Sequence, residues 1–179
     1  MEKQKKEFQE LGQYDFIEEE YIHKVEDKYA PCIGLLLIRF SSLEHTLNLE
    51  IAQVINERGH EIGYKIIEKL SFWNKIELFY KFYIRIVAIK KIKKEKESLN
   101  SISGRLKKIN SFRNIVAHAN WYSLTENRKV RSKIEVDGED GFIKFQYEII
   151  TPKIINKKIR EIEKLDEDIQ EFVFQVYNN

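Results

Sequence analysis

The chain has 179 residues, 42% of them hydrophobic and 34% charged, and a formal net charge of +2. It is long enough for one domain (1–179) with its own core and too apolar for a disordered chain. It is also too nearly neutral to draw nucleic acid through a global field, so any RNA binding must rest on a local patch. Seven glycines and two prolines argue for long helices over a turn-rich all-β fold. The single cysteine, Cys32, excludes an internal disulfide framework and a multi-cysteine metal site. No apolar run approaches the roughly 20 residues of a membrane span. The first ten residues are charged where a secretory signal would be apolar, so a cytoplasmic protein is expected.

Residues 1–28 read as an N-terminal helical arm, charged throughout with Phe8, Leu11, Phe16, Tyr21 and Val25 scattered along it. Two short amphipathic helices, or an arm fraying over the core, fit that pattern equally. Pro31 suits the first turn of a long helix. Ile33, Leu36, Leu37, Phe40, Leu43, Leu47, Ile51 and Val54 then recur at helical spacing as far as Gly59, a suitable C-cap. Glu44 lies inside that stripe. It is either a rim carboxylate reaching water past a packed stem, or it meets Arg113 or orients His118 across the helix pair, where burial beside a cation would keep it ionised.

Gly59 to Gly63 reads as a loop holding His60, followed by a short helix on Tyr64, Ile66, Ile67 and Leu70. Ser71 offers an N-cap to the next helix, whose apolar face is Phe72, Ile76, Phe79, Tyr83, Ile86 and Val87. Lys75, at the edge of that face, is a surface lysine or lines a cleft. Lys90, Lys91, Lys93 and Lys94 form the strongest basic cluster: a solvated helix end, or a contact to a phosphate backbone. From about Leu99 to Asn120 the helical period resumes, with Ile102, Leu106, Ile109 and Val116 in one stripe.

The period then changes from 3.6 to 2. Val130, Ile134 and Val136, then Ile143, Phe145, Tyr147 and Ile149, alternate with polar residues around Asp137-Gly138-Glu139-Asp140-Gly141. A β-hairpin over 129–150 is expected, inserted before the last helix. Thr151 and Pro152 give that helix an N-cap and an N1 proline. Ile155, Ile159, Ile162, Leu165 or Asp166, Ile169, Phe172, Val173 and Val176 mark its buried face.

The chemistry converges on the helix before the hairpin. There is no glycine-rich phosphate loop, and His23, His45, His60 and His118 are scattered without metal-ligand spacing, so no metal or cofactor is expected. Arg113, however, falls in the middle of an apolar stripe, almost in line with Leu106. A guanidinium there is costly unless it is paired or faces a wet cleft. Five residues on is His118, whose unperturbed pKa suits proton exchange near neutrality. A cation that forks onto phosphate beside a proton shuttle is a minimal kit for cleaving RNA.

Arg113-Asn114-x-x-x-His118 resembles the R-N-x-x-x-H signature of HEPN domains, all-helical domains of which many are metal-independent ribonucleases in toxin–antitoxin and anti-phage systems. The resemblance covers about six residues and the helical frame around them. It implies an antiparallel bundle of four to five core helices and endoribonuclease activity by 2′-hydroxyl attack on the adjacent phosphorus. It also implies a homodimer that brings two Arg–His pairs together, Asn114 as a third site residue, and a cognate antitoxin or defence-system partner. Members that pair with a nucleotidyltransferase antitoxin carry Tyr two residues after the histidine, and this chain has Asn120 there. The alternative is a non-catalytic helical module that binds nucleic acid or a partner, with Arg113 paired to Glu44 and His118 favoured at a helix end by the macrodipole.

Overall fold

The computed structural model describes residues 19–56, 60–118, 120–125, 128–136 and 143–178. Among them are five helices, α1 (Glu19–Ile55), α2 (His60–Ile67), α3 (Phe72–Lys90), α4 (Lys93–His118) and α5 (Pro152–Asn178), and three strands, β1 (Asn120–Thr125), β2 (Arg128–Val136) and β3 (Ile143–Ile150). None of these helices is long and apolar enough to cross a membrane. The chain divides into two compact units. One takes the described parts of Met1–Leu36 and Asn114–Lys157, the other those of Leu37–Arg113 and Lys158–Asn179.

The second unit is a helical bundle, built as the 3.6-residue period dictates. Leu43, Leu47 and Ile51 of α1, Ile76 and Phe79 of α3, Leu99 and Leu106 of α4, and Leu165 and Ile169 of α5 are all fully buried. Rings link the helices. Phe40 and Phe72 lie 4.5 Å apart between α1 and α3, and Tyr83 and Phe172 lie 5.5 Å apart between α3 and α5. Ion pairs rim the bundle: Arg39 with Glu163 at 2.9 Å, Lys107 with Glu77, and Arg105 with Asp168 at 2.7 Å. The Ser71 hydroxyl accepts from the Asn74 N–H at 3.2 Å, so α3 starts at its expected cap.

The first unit joins the start of α1, the last turn of α4, the strands and the first turn of α5. The strands form one antiparallel sheet in the order β1-β2-β3. Val130 is opposite Ile149 and Val136 opposite Ile143 between β2 and β3, and Tyr122 is opposite Val130 between β1 and β2. The sequence reading assigns β1 to no element. The segment 137–142 lies outside the described residues, as does 1–18, where the first arm helix is expected. Tyr29, 1% exposed, donates its hydroxyl hydrogen to the Ile150 carbonyl at 2.9 Å, fixing α1 to the end of the sheet. Thr151 then caps α5, its hydroxyl accepting from the Ile154 N–H at 3.3 Å.

Several boundaries differ from the sequence expectation: α4 runs from Lys93 to His118 instead of from about Leu99 to Asn120, and α2 ends at Ile67, before Leu70. Helix α1 runs through Pro31 instead of starting there. Asp27, whose carbonyl loses its helical donor to the proline ring, is exposed, so water can satisfy that oxygen. Buried Tyr29, Cys32 and Leu36 meanwhile hold the chain in one helix across the proline. Helix α2 begins at His60, not after Gly63. Gly63 is a contact residue: a Cβ there would lie 2.6 Å from the Ala52 Cα of α1.

Gly63→Ala sets a helix-propensity gain of about 1 kcal/mol against forced separation of two backbones, which costs about 1–3 kcal/mol. Chemical denaturation is expected to show a net loss, and a stabilised variant would contradict the close packing. Asp168 supplies a pH test. Burial pushes its carboxyl up, but hydrogen bonds from Arg105 and Lys164 outweigh that and hold it below the usual carboxylate range. Its contribution is therefore full at neutrality and is lost as pH falls through the lowered value. Asp168→Asn is expected to be less stable than wild type at pH 7, with the gap closing below about pH 4.

Candidate functional site

Arg113 follows Ile109 by one turn and Leu106 by two, so the helix carries its half-buried side chain toward the α1 side of the bundle. There its guanidinium carbon lies 4.4 Å above the centroid of the Phe40 ring. Phe40 is 3% exposed and is backed by Phe72, so the cation rests on a fixed aromatic shelf. Such a contact is worth about 0.5–2 kcal/mol, depending on how dry it is. It satisfies no N–H: the Arg113 Nε is buried without a hydrogen-bond partner. Among the described residues no carboxylate pairs with this guanidinium.

Glu44 does not meet Arg113, contrary to one sequence expectation. One turn beyond Phe40, it accepts from the Lys75 ammonium at 2.6 Å. The Lys75 side chain is 6% exposed and that of Glu44 29%. An ammonium so stripped of water gains more from a carboxylate than does a half-exposed guanidinium already lying on a ring. Lys75 is accordingly neither a surface lysine nor a free cleft residue. It is the buried half of an α1–α3 ion pair.

The basic cluster is divided among different tasks. The Lys90 ammonium donates to the Val176 and Tyr177 carbonyls at 2.7 and 3.3 Å, closing the C-terminal end of α5. Lys91 ends α3 in the left-handed conformation at φ 58°, donating its N–H to the Ala88 carbonyl. Lys93 and Lys94 open α4 with exposed side chains. Of the four, Lys90 has its ammonium engaged in holding the fold.

In the other unit, Asn114 and His118 stand one turn apart on the exposed face of the last turn of α4, His118 being its final residue. His45 is exposed. The Cys32 thiol is buried, and burial pushes its pKa up. Among the described residues no group of three His, Cys, Asp or Glu side chains is placed to hold a metal ion. The residue the sequence reading missed is Phe40. Its signal was its place in the α1 stripe one turn before Glu44, but nothing in the sequence states that a ring, and not the acid, would receive Arg113.

No family model, no curated protein and no solved structure matches the chain. Chemically, the arrangement offers a half-buried guanidinium that no described carboxylate neutralises, a group suited to an oxyanion.

The Glu44–Lys75 assignment has an asymmetric consequence. Glu44→Ala strands an ammonium with almost no access to water and is expected to cost about 3 kcal/mol. Lys75→Met strands a carboxylate that water partly reaches and should cost nearer 1 kcal/mol. Urea denaturation of the two variants and of the Glu44→Leu/Lys75→Met double variant checks this. Equal losses, or a double variant no better than Glu44→Ala, would show that the pair is not the constraint it looks to be.

Proposed function

We propose that the chain is a metal-independent endoribonuclease of the toxin or anti-phage defence type, with Arg113 and His118 as the reacting pair. The observation that carries this reading is the condition of Arg113. A cation is kept in the apolar stripe of α4, held by the Phe40 ring and neutralised by no described carboxylate, while Glu44 serves Lys75. A guanidinium so kept retains its full charge for a phosphate. The proposal rests also on the resemblance of Arg113-Asn114-x-x-x-His118 to the HEPN signature, and on His118 being an exposed imidazole on the same helix.

The reaction is transesterification. The 2′-oxygen of the RNA forms a bond to the adjacent phosphorus as the bond from phosphorus to the 5′-oxygen breaks. One imidazole takes the 2′-hydroxyl proton, and a second gives a proton to the departing 5′-oxygen. Arg113 steadies the charge that builds on the phosphoryl oxygens, and Asn114, one turn from His118, positions the imidazole or the phosphate. The products are a 2′,3′-cyclic phosphate and a 5′-hydroxyl. The attacking and leaving oxygens lie on opposite sides of phosphorus in an in-line displacement, so one His118 does not easily serve as both base and acid, and the reading calls for a two-fold dimer that supplies two. It also calls for a cognate antitoxin or another partner to hold the activity in check.

Purified protein incubated with RNA in EDTA is expected to yield cyclic-phosphate ends. His118→Ala should lower the rate by about 10²–10⁴-fold and Arg113→Ala by about 10²–10³-fold, while sedimentation shows a dimer. Intact RNA with the wild type, or variants that cut as fast as it does, would overturn the reading. RNA that is bound and left uncut would identify a non-catalytic binding module.

A further inference from the structure

Away from Arg113 the bundle holds a second polar concavity, a cavity of about 580 Å³ between the first half of α4 and the second half of α5, within the second unit. The two helices run antiparallel here. Arg105 pairs with Asp168 at one end, and Lys90, just ahead of α4, holds the Val176 and Tyr177 carbonyls at the other. Four acidic residues, Glu95, Glu97, Asp168 and Glu171, line it with the two cations Lys94 and Arg105. With Arg105 committed to Asp168, the free balance of the lining is negative. Two apolar residues, Ile102 and Phe172, both nearly fully buried, also line it.

Glu95 sets this concavity apart from an ordinary acidic surface. It is 8% exposed, and no described group donates to its carboxylate or pairs with it. Its stem is packed, yet its oxygens are not among the described buried atoms that lack a hydrogen-bond partner, so they reach the water of the cavity. Its place in the first turn of α4 favours the charge through the helix dipole. We propose that this groove is a binding site for a linear aliphatic polyamine, with Glu95 as the anchor for one ammonium group.

The form of the ligand follows from how the acids are spread. No three of them converge as a metal ion would require, so a point charge finds no cage. Glu95 and Glu171 stand on different helices, and a chain bearing several ammonium groups can give one to each while its methylenes lie over Ile102 and Phe172. The hydroxyls of Ser98 and Ser101 on the same wall can accept from further N–H groups. The site is independent of the ribonuclease reading and uses none of its residues.

Isothermal titration of the full chain with spermidine at physiological salt is expected to show saturable binding of one ligand per chain. Affinity should fall by about tenfold in Glu95→Gln and also in Glu171→Gln, an exposed position whose substitution leaves the fold intact. Magnesium chloride and propylamine are expected to give no saturable heat. Weak, unsaturating spermidine heats that are the same in all three proteins would overturn the proposal, as would magnesium binding as tightly as spermidine. Circular dichroism of Glu95→Gln establishes that a loss of affinity is not a loss of fold.

Discussion

A guanidinium in the apolar stripe of a core helix must be held by something other than water, and in this bundle Phe40 holds it. The contact depends on how the neighbouring charges are shared out. Two cations, Lys75 and Arg113, and one carboxylate, Glu44, come from the three helices α3, α4 and α1. The deeper cation takes the carboxylate, and the half-exposed one takes the ring. Had Glu44 turned to Arg113, Lys75 would be a bare ammonium with 6% of its side chain exposed, the costliest of the available arrangements. The pairing that stabilises the bundle is thus the one that leaves Arg113 its charge.

The helix ends show the same division between groups that hold the fold and groups that remain free. Ser71 and Thr151 satisfy N–H groups at the starts of α3 and α5, and Lys90 satisfies carbonyls at the end of α5. A helix end left unsatisfied against the bundle would cost as much as a lost core contact, so a lysine from the basic cluster is worth more there than in solvent. The basic cluster therefore cannot be treated as one patch.

Much of the bundle was legible because helical periodicity and caps are local. The stripes of α3 and α5 can be read directly, and the buried residues fall on them, including Leu165 where the spacing alone left Leu165 or Asp166 open. What could not be read were choices made between elements. Pro31 marks a helix start only if nothing on either side holds the chain helical; Tyr29 and Cys32 do so through burial that local spacing does not report. Gly63 signals a loop by propensity and a close helix contact by packing, and only the position of Ala52 decides which. For the candidate site, the odd placement of Arg113 was plain from the stripe. Its partner was not, because cations on two helices have one carboxylate on a third to share.

Helix α4 carries the two charges on which both proposals rest, Glu95 and Arg113, and they have opposite sign. Glu95 and Arg113 are 18 residues apart on it, about 27 Å along its axis. The screening length at physiological salt is about 8 Å, so neither charge neutralises the other and each shapes its own surroundings. A chain of formal charge +2 has no overall field with which to sort its ligands. Sorting has to be done locally, and here it follows from what surrounds each charge. On the proposed reading, an aromatic shelf without a described acid suits Arg113 to a phosphate. The acid-lined groove toward the other end of the helix suits a cation instead.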